Sequence, residues 1–63
     1  MSANNELLIT ETPTHFEISD IDIETKEGYI VGKSKDLRRA IKMAREYQEN
    51  YEVEYGIDFD LIK

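Results

Sequence analysis

Apolar and polar residues alternate strictly over residues 51–61. The apolar residues occupy the odd positions, Tyr51, Val53, Tyr55, Ile57, Phe59 and Leu61. Because successive side chains of a strand point to opposite faces, this period of two predicts a strand with one buried face. The segment is long for a strand, so we expect a bend or bulge at Gly56.

A second alternation runs over residues 15–24, but it slips by one position between Ile18 and Ile21. A slip of one residue would turn the apolar side chains to the other face of the sheet. A β-bulge restores the original face, and the pattern therefore predicts a strand with a bulge at Ser19–Asp20.

The residues after this strand are typical of a hairpin. Residues 24–28 end in Gly28, and we expect this glycine to supply the positive φ that closes the loop. Residues 29–31 then form the returning strand, which ends at Gly32.

The apolar spacing changes to a helical period after Gly32. Apolar residues recur at the i, i+3, i+4 and i+7 positions of an amphipathic helix, namely Leu37, Ala40, Ile41, Ala44 and Tyr47. This spacing predicts a helix over residues 35–48. Ser34 is the expected N-cap, and Asp36 places a negative charge in the first turn.

Together these elements predict an α+β fold with two layers. Residues 14–63 would form one ββαβ domain, a three-stranded antiparallel sheet in the order 2-1-3 with the helix on one face. Residues 1–13 are expected to form a partly ordered N-terminal arm that could add an edge strand through Leu7–Ile9. A chain of 63 residues accommodates one domain, and we expect its stability to be marginal.

The composition excludes several kinds of site. The chain has no cysteine and one histidine, which excludes disulfides, thiolate zinc sites and histidine-rich metal sites. No apolar run reaches the roughly 18 residues of a membrane span. The polar N-terminus lacks the basic and apolar regions of a secretory signal. We therefore expect a cytoplasmic protein that does not contact membranes.

Two short motifs are superficially similar to ligand-binding loops. Gly32–Ser34 would end a nucleotide-binding loop, but the first glycine of that loop would fall on Glu27. The acids in residues 20–24 lack the later glycine and glutamate of a calcium loop. His15 has no partner at a catalytic spacing. The sequence therefore predicts no enzyme, no catalytic residue, no cofactor and no metal site.

Charge is distributed unevenly along the chain, whose net charge is −6. Residues 33–45 hold six basic residues and one acid, a balance of +5. The rest holds two basic residues and 13 acids, a balance of −11. Such asymmetry bears on binding partners rather than on the fold.

An acidic sheet face is the feature that most favours binding. If the odd residues of the last strand face the helix, its acids project from the other side, beside the acids of the neighbouring strand. The predicted acidic face consists of Glu17, Asp20, Asp22, Glu52, Glu54, Asp58 and Asp60. Like charges across strands destabilise a sheet by up to about 1 kcal/mol per pair. Because a marginally stable domain retains these like charges, the pattern favours a binding role. The alternative interpretation is that the acids keep the protein soluble and protect the sheet edges from aggregation.

The helix presents a second charged surface. Five cations fall within an arc of roughly 120° opposite the apolar side: Lys35, Arg38, Arg39, Lys42 and Arg45. This face is either simply solvated or docks to an acidic partner or a nucleic acid. The −11 balance elsewhere disfavours nucleic acid.

The leading hypothesis is a small acidic, non-enzymatic protein-binding module. Its acidic face would dock on a basic, nucleic-acid-binding surface of another protein and inhibit it, as some phage-encoded inhibitors do by imitating nucleic acid. One alternative is a regulatory module that binds through the basic helix. Another is a self-associating structural subunit, in which the helix of one copy meets the acidic face of the next.

Overall fold

A four-stranded mixed sheet with one helix on one face forms the fold. The computed structural model describes residues 5–51 and 56–62. The elements are β1 Asn5–Glu11, β2 Phe16–Asp22, β3 Gly28–Ser34, α1 Leu37–Tyr51 and β4 Ile57–Asp60. The strand order is β3-β2-β1-β4. The predicted α+β class, with a helix on one sheet face and an additional N-terminal strand, is confirmed.

The N-terminal strand lies inside the sheet rather than at its edge. β1 pairs antiparallel with β2 over its whole length and parallel with β4. The last strand therefore lies beside β1 and not beside β2, which makes the sheet mixed rather than wholly antiparallel. Leu7 and Ile9 are fully buried under the helix, whereas Leu8 points to the other face.

The bulge lies on β3, not on β2. The β1–β2 register is uninterrupted, but the β2–β3 register shifts between Ile18 and Ser19 and leaves Val31 as the extra residue. Alternation in β2 therefore continues, so that Asp20 follows Ile18 onto the helix side and Ile21 faces away. The sequence pattern located the irregular pairing but assigned it to the wrong strand.

An aspartate closes the β2–β3 turn. The Asp22 carbonyl accepts the Lys26 N–H at 2.8 Å, and the Asp22 carboxylate accepts the Glu24 N–H at 2.8 Å. Within residues 5–51 and 56–62, Lys26 is the residue with positive φ (66°), and none of the three glycines has one. Gly28 is instead needed for space, because a Cβ there would lie 2.7 Å from the Asp20 carbonyl oxygen.

The helix is capped by Asp36 rather than by Ser34. The Asp36 carboxylate accepts the Arg38 N–H at 3.1 Å, which satisfies one of the free amides of the first turn. Ser34 holds the cap in place, since its hydroxyl accepts the Asp36 N–H at 3.1 Å.

The apolar stripe of α1 packs across β1, β2 and β3. Ala40 and Ala44 are fully buried, and their small side chains let the helix lie close to Leu7, Ile9 and Ile18 of the sheet. Larger, partly buried side chains surround this centre: Phe16, Val31, Leu37, Ile41, Met43, Tyr47 and Ile57. Over the described ranges, no helix is both long enough and apolar enough to cross a membrane.

The last strand is shorter than its alternation predicts. Tyr51 ends α1, three residues beyond the expected helix end, and residues 52–55 lie outside the described residues. The Tyr51 ring lies 4.5 Å from the Tyr47 ring, one helical turn earlier, and such i, i+4 contacts favour continuation of a helix. Within β4 the alternation holds: Asp58 and Asp60 lie on the face away from α1.

Candidate functional site

The sheet face opposite α1, here called the open face, receives side chains from all four strands. In the part of the chain that the structure describes, α1 is the only helix, and it packs on the other face. Residues paired across neighbouring strands share a face, so the register assigns the members. The open face consists of Glu6, Leu8, Thr10, Glu17, Ser19, Ile21, Ile30, Lys33, Asp58 and Asp60.

An apolar patch lies within the open face. Leu8, Ser19 and Ile30 form one row across β1, β2 and β3. Ile30 is 47% exposed, while Leu8 and Ile21 are half-buried. Apolar side chains beside charged ones are the usual composition of a protein-binding surface.

Carboxylates concentrate on the β1–β4 side of the open face. Asp58 and Asp60 lie opposite Leu8 and Thr10. A hydrogen bond with the Asp58 carboxyl, together with burial and the charge of Asp58, raises the pKa of Glu6 above its usual range. A raised pKa of this origin means that two like charges are held close together.

The opposite side of the open face is less acidic. Glu17 faces Lys33 in the β2–β3 register. Its carboxylate lies 2.9 Å from Nε2 of His15, whose Nδ1 lies 2.8 Å from the Thr14 hydroxyl. Four carboxylates and one lysine give the open face a formal charge of −3.

Asp20 lies under the helix and not on the open face. It is 4% exposed; its carboxylate accepts a hydrogen bond from the Tyr47 hydroxyl at 2.6 Å and one from the Asn5 side-chain amide at 2.5 Å. Burial, followed by the hydrogen bond to Asp20, raises the pKa of Tyr47. The expectation that Asp20 projects outward was therefore wrong, because β2 contains no bulge that would turn it to the surface.

The predicted acidic face is thus partly assembled. Glu17, Asp58 and Asp60 share the open face, and the structure adds Glu6, which lies in the segment interpreted as an arm. Asp22 lies on the other face, where it closes the β2–β3 turn, so its predicted position was wrong as well. Glu52 and Glu54 lie outside the described residues.

The basic residues of the helix region divide between two surfaces. All five are exposed: Lys35, Arg38, Arg39, Lys42 and Arg45. Arg38, Lys42 and Arg45 line a groove of about 460 Å³, in which Glu46 and Glu49 offset part of their charge. Lys35 and Arg39 line a different cleft, at the start of the helix. The five cations of the predicted basic face therefore line two different clefts.

Comparison with models of known protein families, with curated proteins and with solved structures gives no match to this chain. Among the described residues, no group of three or more histidine, aspartate or glutamate side chains is placed to hold a metal ion.

Proposed function

We propose that this protein is a small non-enzymatic binding module of the cytoplasm whose open face docks on a basic surface of a partner protein. The observation that supports this proposal is the composition of the open face. It combines the exposed Ile30 and the half-buried Leu8 and Ile21 with a formal charge of −3. The apolar patch would supply affinity, and the carboxylates would speed encounter and set orientation.

The size of the open face limits the affinity that it provides. Four strands about 4.8 Å apart and about 20 Å long give an area on the order of 400 Å². A standard complex buries about 800 Å² on each partner. The open face thus supplies about half of such an interface, so we expect neighbouring residues to contribute and binding to weaken with salt.

A basic partner surface follows from the sign of the charge. Proteins that bind nucleic acid carry clustered lysine and arginine side chains. Docking on such a cluster would block nucleic acid, so the proposed activity is inhibition by imitation of nucleic-acid charge, of the kind found among phage-encoded inhibitors.

Charge reversal at β4 tests the docking proposal. The variant Asp58→Lys/Asp60→Lys reverses two charges on the open face. The control Glu27→Lys/Glu46→Lys reverses two charges at exposed positions outside that face. The fold of each protein is verified by circular dichroism. Each protein is then immobilised and incubated at low salt with a lysate of the source organism. We expect the wild type and the control to retain the same basic protein, which DNA displaces, and the β4 variant to lose it. Equal retention by the β4 variant would refute docking through this face.

A second candidate is regulatory binding of nucleic acid or an acidic protein through the groove lined by Arg38, Lys42 and Arg45. It is favoured by the exposure of all three cations on one surface. A gel shift with DNA and RNA at low salt tests the nucleic-acid version, which the absence of any retention would eliminate. Self-association between this groove and the open face of another copy would show as a sedimentation coefficient that falls with salt.

A further inference from the structure

A cleft of about 570 Å³ lies at the corner of the sheet where β2 begins, β3 ends and α1 starts. We call it the corner cleft. Its polar lining consists of Thr14, His15, Lys33, Ser34, Lys35 and Arg39. Clefts of roughly 300–1,000 Å³ are typical of small-molecule sites.

Positive charge in the corner cleft is not offset by any lining carboxylate. Lys33 comes from β3, Lys35 from the link to the helix and Arg39 from the first turn of α1. All three are exposed, and none forms a salt bridge within residues 5–51 and 56–62. The other groove differs, because Glu46 and Glu49 line it together with its cations. In a chain of net charge −6, this concave cationic site is suited to an anion.

The histidine on the rim is fixed by its neighbours. His15 Nε2 lies 2.9 Å from the Glu17 carboxylate, and Nδ1 lies 2.8 Å from the Thr14 hydroxyl. Glu17 also faces Lys33 across the β2–β3 register and offsets part of its charge, so the charge that the corner cleft offers a ligand comes mainly from Lys35 and Arg39. The Thr14 and Ser34 hydroxyls add hydrogen-bonding groups to the lining.

An apolar surface lies beside the cations. The Met43 side chain lines the corner cleft, and its methyl carbon would lie 2.8 Å from a Cβ added at Gly32. The absence of a side chain at Gly32 lets Met43 lie against β3. A ligand would thus meet cations on one side and a thioether on the other.

We infer that the corner cleft binds a small phosphate monoester, such as a nucleoside monophosphate. Its phosphoryl group would lie against Lys35 and Arg39, with Lys33 at the sheet-side edge of the cleft, and its organic part against Met43. A phosphate monoester carries a charge of roughly −1.5 to −2 and three acceptor oxygens, which Lys35 and Arg39 can match with charge-assisted hydrogen bonds. The planar guanidinium of Arg39 can donate two parallel hydrogen bonds to one phosphate. Only Lys33 is shared with the open face, and the variants below leave it unchanged.

Ligand titration monitored by NMR tests the site directly. His15 is the only histidine in the chain, so its ring resonances are unambiguous, and the Met43 methyl reports on the apolar wall. We expect AMP to shift both signals and adenosine to shift neither. Tighter binding of AMP than of inorganic phosphate would assign the site to the ester, and equal binding would assign it to free phosphate. No shift with millimolar AMP, or equal binding of adenosine, would overturn the inference.

Two arginines of the same helix provide a matched pair of variants. Arg39→Gln removes a cation from the corner cleft, whereas Arg45→Gln removes one about 9 Å further along the helix axis, near the Debye length at ordinary salt. We expect Arg39→Gln to weaken AMP binding by at least about tenfold, as for loss of one charged hydrogen bond, and Arg45→Gln to change it by less than about twofold. If both variants weakened AMP binding equally, the attraction would come from the overall charge of the helix, and the inferred site would be overturned. The inference would also be overturned if an oligonucleotide bound more tightly than AMP and both variants weakened that binding equally.

Discussion

Replacing Tyr47 with phenylalanine removes one of the two side-chain hydrogen bonds that hold the buried carboxylate of Asp20. The Tyr47 hydroxyl donates to Asp20 at 2.6 Å, and the carboxylate is only 4% exposed, so water cannot readily take its place. A hydrogen bond to a charged group contributes about 1.5–3 kcal/mol. We expect a loss of about 2 kcal/mol in the free energy of unfolding.

This loss is large for a domain of this size. At about 0.05–0.15 kcal/mol per residue, a 63-residue domain has a free energy of unfolding of about 3–9 kcal/mol. A domain of this length loses about 4–8 °C in Tm per kcal/mol, so Tyr47→Phe should lower Tm by about 8–16 °C. The isolated domain should still fold at low temperature, which makes the variant measurable.

Urea unfolding monitored by the circular dichroism of the helix measures the effect. Tyr29→Phe is the control, since it removes the same atom from a residue that is 62% exposed and whose hydroxyl lies 3.4 Å from that of Tyr47. The control should change stability by no more than about 0.5 kcal/mol. In an Asp20→Asn background, Tyr47→Phe should cost less, because the acceptor is then neutral. Equal losses for the two tyrosine variants would refute the role assigned to the Asp20 network.

Three further predictions concern stability. Gly28→Ala should destabilise by about 1–3 kcal/mol, because its Cβ would lie 2.7 Å from a backbone carbonyl oxygen of β2. Gly56→Ala, whose Cβ would meet no atom of the described residues within 4 Å, should be neutral or stabilise by up to about 1 kcal/mol in the same urea titration. Since the hydrogen bond with Asp58 raises the pKa of Glu6, the contribution of this pair to stability is full below the usual pKa of 4.5 and is lost as pH rises through the raised value, so Glu6→Gln should raise Tm at pH 7 but not at pH 3. Since the pKa of Tyr47 is also raised, the folded state holds the tyrosine proton more tightly than the unfolded state does. Stability should therefore fall as pH rises above about 10. Thermal melts at alkaline pH should show a smaller fall in Tm for Tyr47→Phe.

Sequence periodicity by itself determined the class of fold, the helix and the alternation within the strands, although it extended the last strand back to Tyr51, which is helical. Spacing from Leu37 to Tyr47 predicts the helix and the side that it buries, and alternation predicts the opposite faces of Ile57 and Asp58. These predictions succeed because each depends on neighbours within one element, where the backbone geometry is regular.

The position of β1 was decided by tertiary structure. Three consecutive apolar residues, Leu7–Ile9, show no period that distinguishes an arm from a strand. Only the pairing of β1 with β2 on one side and β4 on the other makes it an interior strand. Pairing order is a property of the whole sheet, so a pattern within one segment could not predict it.

The candidate sites depend on tertiary structure even more strongly. Asp20 is buried because Tyr47, 27 residues away, and Asn5, 15 residues away, satisfy its carboxylate. Arg39 and Arg45 belong to one helical face in the sequence, but only Arg39 lines the corner cleft. A period specifies which side of an element a residue occupies. The register and order in which elements pair decide what that side meets, and these are set by the burial of all the elements together.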